Sequence, residues 1–127
     1  MAAAYGAAVE LPKPMLVALG GMAGAAARWA VLEPTDGAAW ALVAVNSVGA
    51  FVLGLLAHGL RRGDPQRQLV VGVGFCGAFT TFSTLAVDLA GDLDRGAPGR
   101  ALLLHGVSVV AGLAAASLGL RTGRGTT

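Results

Sequence analysis

Four stretches of about twenty mostly apolar residues, joined by short charged connections, leave this chain very few ways to fold. They run over about Pro14–Leu32, Ala38–Leu60, Leu69–Leu89 and Ala101–Leu120. A helix of about 20 residues crosses a hydrocarbon core of about 30 Å. The connections EPTDG, RRGDPQR and GDLDRGAPG carry the helix breakers and much of the charge, and they are too short to hold a domain or an active site. The expected fold is therefore all-α: one transmembrane domain over residues 1–127, with four helices in the lipid bilayer of the cell membrane. Function has to reside inside the membrane.

Composition closes off the alternatives. Only 13% of the 127 residues are charged against 55% hydrophobic, and the mean hydropathy is +0.70. A soluble domain carries about 25% charged residues. The 20 glycines follow no Gly-X-Y period, and close helix packing in membranes accounts for their number. The lone cysteine, Cys76, excludes an intrachain disulfide. No basic stripe interleaved with aromatics points to nucleic acid. The opening MAAAYGAAVELPKP lacks the basic start and apolar core of a signal peptide. Lys13, Arg61, Arg62, Arg67, Arg121 and Arg124 lie on one side, and Arg28, Arg95 and Arg100 on the other, so the bias places both termini in the cytoplasm.

Polar groups inside hydrocarbon are costly, which makes each of them a functional candidate. Gly20 and Gly24 give span one a GxxxG spacing suited to close backbone approach. Arg28, one turn further on, is placed to snorkel, to pair with an acid, or to lend positive potential to an anion vestibule. Asn46 in span two offers either an interhelical hydrogen bond or a donor that replaces part of an ion's water. His58 and His105 read as interfacial. Span three carries Gly72, Gly74 and Gly77 followed by the hydroxyls of Thr80, Thr81, Ser83 and Thr84. Both features oppose a regular helix, which predicts a break near Gly77–Ser83. Main-chain groups exposed at that depth are tolerated where they are buried in protein or line an ion site. Phe79 and Phe82 flank the break, either as packing or as rings whose positive edges attract an anion. No nucleophile–base or metal constellation suggests an enzyme.

GGMAGAAARW (Gly20–Trp29), VNSVGAFVLG (Val45–Gly54) and GFCGAFTTFST (Gly74–Thr84), in that order on a four-span chain, resemble the Fluc/CrcB fluoride channels. The resemblance covers nearly the whole length. It implies an antiparallel dimer with two fluoride pathways at the subunit interface. Asn46, Phe82, Ser83, Thr84 and Ser108 would line the pathway, and Arg28 would stand near the vestibule or serve structurally. Carbonyls of Gly77 and Thr80 from both subunits would hold a structural sodium ion. It further implies passive fluoride export that protects the cell. Two positions depart from the family pattern: Leu85 replaces a second pore phenylalanine, and Leu104 replaces a tyrosine four residues before Ser108. These departures suggest a paired homologous subunit, with a homodimer or an accessory subunit with a degenerate pore as alternatives. A small multidrug-type exporter would need a membrane carboxylate, and Glu10 and Asp88 are poorly placed for that role.

Overall fold

The computed structural model describes residues 11–59 and 64–124. Glu10, Leu60, Arg61 and Arg62 lie outside them, as does the side chain of His58. The described residues are all-helical, and four helical stretches are long and apolar enough to cross a membrane, as the sequence predicts. Helix α1 spans Lys13–Leu32 and α2 spans Ala39–Gly59. The third crossing has two parts. Helix α3, residues 65–79, joins an α-helical turn (Pro65–Arg67), a π-helical stretch (Gln68–Cys76) and a last α-helical turn (Gly77–Phe79). Helix α4 follows at Ser83–Asp94, and α5 spans Pro98–Arg124.

The helices outrun the apolar segments. The sequence places span three at about 69–89 and span four at about 101–120, whereas the helical paths cover 65–94 and 98–124. Hydropathy marks the thickness of the hydrocarbon, but backbone hydrogen bonding continues until a residue stops it. Asp64 caps the start of α3 by accepting the Gln66 N–H at 2.9 Å. The expected nine-residue connection GDLDRGAPG contracts to a tight turn. Gly96 there takes φ 70°, its N–H bonds the Leu93 carbonyl, and the Ala97 N–H bonds the Asp92 carbonyl. The Asp92 side chain is buried in the same corner, 2.8 Å from the Arg95 guanidinium and 3.4 Å from that of Arg100. The acid thus fastens α4 to α5.

Two seams hold the bundle. In the first, α1 and α3 run side by side in one direction, with glycine facing backbone on both. A Cβ at Gly20 or Gly24 would run into the main chain of Val70 or Phe75. A Cβ at Gly74 would lie 2.6 Å from the Val17 carbonyl oxygen. Only hydrogen fits at these points, so the GxxxG spacing of span one meets Gly74 and the adjoining backbone of span three. In the second seam α2 packs along α5, with Gly54 against the backbone of Ala116 and Gly119 against that of Phe51.

Candidate functional site: the interruption between α3 and α4

Helical bonding ends at Thr80, whose N–H still reaches the Cys76 carbonyl at 3.0 Å. Its hydroxyl bonds the same carbonyl, also at 3.0 Å. Thr80 then turns to φ −76° and ψ 155°, an extended conformation that no α-helix contains. Helical geometry resumes at Ser83. Thr80, Thr81 and Phe82 therefore lie outside the ladder in the middle of a membrane crossing, where every freed main-chain group needs a partner.

Those partners come from neighbouring helices. Asn46 of α2 accepts the Thr81 N–H at Oδ1 (2.8 Å) and donates from Nδ2 to the Thr81 carbonyl (3.1 Å). One amide thus satisfies both main-chain groups of one residue, as a neighbouring β-strand would. Arg28 of α1 donates from a guanidinium N–H to the Thr80 carbonyl at 3.3 Å. The Thr81 hydroxyl lies 2.9 Å from that of Thr84 and 3.3 Å from that of Ser83, and accepts the Thr84 N–H at 3.3 Å. Thr81 thereby restarts the helix from inside the gap. Gly49 of α2 lies beneath Thr80, whose methyl group occupies the space a Cβ would need.

The interruption opens onto a cleft of about 260 Å³ lined by Asn46, Ala50, Thr80, Thr81, Phe82 and Leu85, among others. Phe82 is 80% exposed and stands at its edge, whereas Phe79 is buried and stacks on Phe75 with ring centroids 5.4 Å apart. The two phenylalanines flanking the gap have opposite fates: Phe79 packs inside and Phe82 faces out.

The sequence-expected residues fall into three groups. Asn46, Thr80 and Phe82 meet at the cleft, with Ser83 and Thr84 on the adjoining first turn of α4. Gly77 is exposed on the last turn of α3, and Arg28 approaches the gap from α1. Ser108 is buried on α5 and does not line the cleft. Gly20 and Gly24 lie in the α1–α3 seam.

Sequence reasoning passed over two residues. Thr81 stands in the hydroxyl run without a role of its own, yet the bonds of the gap converge on it. His105 reads as interfacial, but its ring reaches carbonyls on two helices, Ala101 at 2.8 Å and Leu85 at 2.9 Å. Nothing local marks either residue, because their partners are tens of residues away or on the next helix.

Comparison with known proteins places the chain in a family. Residues 15–120 match the family described as CrcB-like protein, Camphor Resistance (CrcB). The chain is 44% identical over 117 residues to the Fluoride-specific ion channel FluC 2 of Synechococcus sp., covering 91% of this chain and 82% of that one. It is 42% identical over 121 residues to FluC 1 of Symbiobacterium thermophilum, covering 87% and 97%. The FluC protein of Novosphingobium aromaticivorans is 39% identical over 118 residues, covering 86% and 94%. With four spans and a match across nearly all of them, this chain belongs to the CrcB-like family.

Proposed function

We propose that the chain is a subunit of a fluoride-specific channel that lets fluoride leave the cytoplasm passively, lowering its concentration and its toxicity. The observation that carries this reading is the polar interruption at mid-membrane, opening onto a cleft beside Asn46 and Phe82. A small, strongly hydrated anion enters a narrow passage only if donors replace its water. The Ser83 and Thr84 hydroxyls and the second N–H of the Asn46 amide are such donors. The N-terminal end of α4 adds the positive end of a helix dipole at the same depth. The exposed ring of Phe82 can turn a positive edge toward the anion. With a negative cell interior and no coupled energy source, net movement is outward.

One chain supplies only one wall of such a passage. Phe82, Ser83, Gly77 and Val73 all lie exposed, which suits closure by a second subunit in antiparallel orientation. The proposed pathway runs along Asn46, Phe82, Ser83 and Thr84. Ser108 would join it only through a partner or a rearrangement, since it is buried away from the cleft. A structural sodium at the subunit junction fits the donor set. The Thr81 N–H goes to Asn46 and not to the Gly77 carbonyl one turn back, so that oxygen is relieved of its usual helix partner. The Thr80 carbonyl accepts a single long bond from Arg28 and keeps a second lone pair. These oxygens from two subunits would hold a hard cation, which would offset carbonyl dipoles where the helix ends meet.

Leu85 and Leu104 favour pairing with a homologous subunit that supplies the missing rings. Leu85 is buried at the cleft wall, where an aromatic edge would otherwise stand. Fluoride efflux from proteoliposomes containing this chain alone, then this chain with its paired homologue, tests both points. Efflux in either preparation supports the channel, and efflux only with the partner supports the heterodimer. Folded, inserted protein that passes no fluoride in either case overturns the reading. Two substitutions refine it. Phe82→Ile removes an exposed ring without touching the bundle, so flux should fall by about tenfold or more while assembly persists. Unchanged flux would remove Phe82 from the pathway. Leu85→Phe should raise the flux of this chain alone if a missing ring limits it, and an unaltered rate would show that this wall does not.

A further inference from the structure

We propose that the groove at the Lys13–Pro65 end of the bundle is a phospholipid site, selective for a headgroup that carries both a phosphate and a primary amine, as phosphatidylethanolamine does. The groove, of about 420 Å³, runs between α2 and α3, walled by Leu53, Leu56, Leu69, Gly72 and Val73, with Lys13 at its mouth. Gly72 keeps it open, since the atom nearest to a Cβ there is the end of the Leu56 side chain at 3.9 Å. From Pro65 at the mouth to Val73 at the inner end the helical backbone advances roughly 10 Å. An ion finds few partners on such walls, whereas an acyl chain gains apolar contact along their whole length.

Beside the mouth lies a second hollow of about 340 Å³, which shares Lys13, Pro65 and Leu69 with the groove and adds Asp64 and Gln66. Opposite charges line it, yet they do not satisfy one another. Among the described residues Lys13 makes no ion pair, and the Asp64 carboxylate takes only the Gln66 N–H. Lys13 opens α1 and Pro65 opens α3, at the end that the charge bias assigns to the cytoplasm, so the hollow lies at headgroup depth. A lipid phosphate against the Lys13 ammonium and a lipid amine against the second Asp64 oxygen meet both charges with one molecule. A purely anionic headgroup leaves Asp64 unmet, and a quaternary ammonium has no N–H to give a carboxylate. Val73, at the inner end, is also among the exposed residues suited to closure by a second subunit, which makes a second copy the competing occupant. An apolar helix face seated there would fill the groove but leave the charged rim as it stands, which favours the lipid.

Native mass spectrometry of the full chain, released from bilayers of equal parts phosphatidylethanolamine, phosphatidylcholine and phosphatidylglycerol, reads the occupant directly. Phosphatidylethanolamine should be retained over each of the others by about threefold or more, the scale of one exposed charge pair. Lys13→Gln and Asp64→Asn should each erase most of that preference. Asparagine caps a helix as well as aspartate does, so the second change removes the charge and leaves the start of α3 intact. Gly72→Leu has room for its side chain, fills the groove, and should lower retention of all three lipids by about tenfold. Equal retention of the three lipids, or a preference for phosphatidylglycerol, overturns the headgroup assignment. Assembled protein that keeps no lipid, or lipid retention unmoved by Gly72→Leu, overturns the site and gives the groove to a second copy or to nothing. Retention needs no transport, so a chain that passes no fluoride counts against the channel reading while the lipid site is still decided.

Discussion

Replacing Asn46 with aspartate should reduce fluoride efflux by about 100-fold or more, the largest loss expected from any single isosteric change in this chain. The side chain keeps its shape and can still accept the Thr81 N–H. It loses the Nδ2 donor and sets a carboxylate oxygen against the Thr81 carbonyl, where the donor now sits at 3.1 Å. An unsatisfied carbonyl at this depth costs about 1–3 kcal/mol. The greater effect is electrostatic, because a full negative charge then lines the cleft that the proposed function assigns to an anion. Efflux assays on protein that still elutes as an assembled species test this. Flux within about twofold of the parent would show that Asn46 serves only to hold α2 against the gap. Asn46→Ala provides the complementary measurement, because it frees both Thr81 groups without adding charge. A milder defect in alanine than in aspartate would separate the two contributions.

Gly24→Val should destabilise the fold severely. Its Cβ would collide with the carbonyl of Phe75, and the Phe75 carbon atoms within 3.0 Å are backbone as well, so no rotamer change relieves the contact. Overpacking typically costs about 1–3 kcal/mol and sometimes more. A collision between two main chains belongs at the upper end of that range, and α1 would have to move off α3. Total stability is only about 5–15 kcal/mol, so a displaced seam should appear as a collapse in the yield of monodisperse protein in mild detergent. Separation of α1 would also withdraw Arg28 from the Thr80 carbonyl, which couples the seam to the interruption. Gly106→Ala is the control: nothing lies within 4 Å of a Cβ there, and alanine is the better helix former. If Gly24→Val purified as well as Gly106→Ala, the close α1–α3 seam would be refuted.

The residues differ in how plainly the sequence marked them. Gly20 and Gly24 were legible because a spacing of four on one helix has one geometric meaning. Phe82 and Phe79 could not be told apart, since both are phenylalanines beside a gap, and only the path of the chain turns one inward and the other out. Arg28 had three candidate roles in the sequence, and its bond to the Thr80 carbonyl matches none of them fully, being neither snorkelling nor pairing with an acid. Asp92 read as a loop acid, yet it is buried at the corner between α4 and α5. Ser108 fitted a pattern by its number and ended away from the cleft.

What the sequence determined by itself is the number of crossings and their order, because apolar length is measured directly against the thickness of the bilayer. It also marked the stretch where helix formation is weakest, since glycine and hydroxyl side chains act on their own backbone. What only the tertiary structure decided is who satisfies the freed groups. Asn46 and Thr81 are 35 residues apart, and His105 and Leu85 are 20 apart. Hydrogen-bonding capacity is written in each residue, but the choice of partner depends on how the glycine seams bring the helices together.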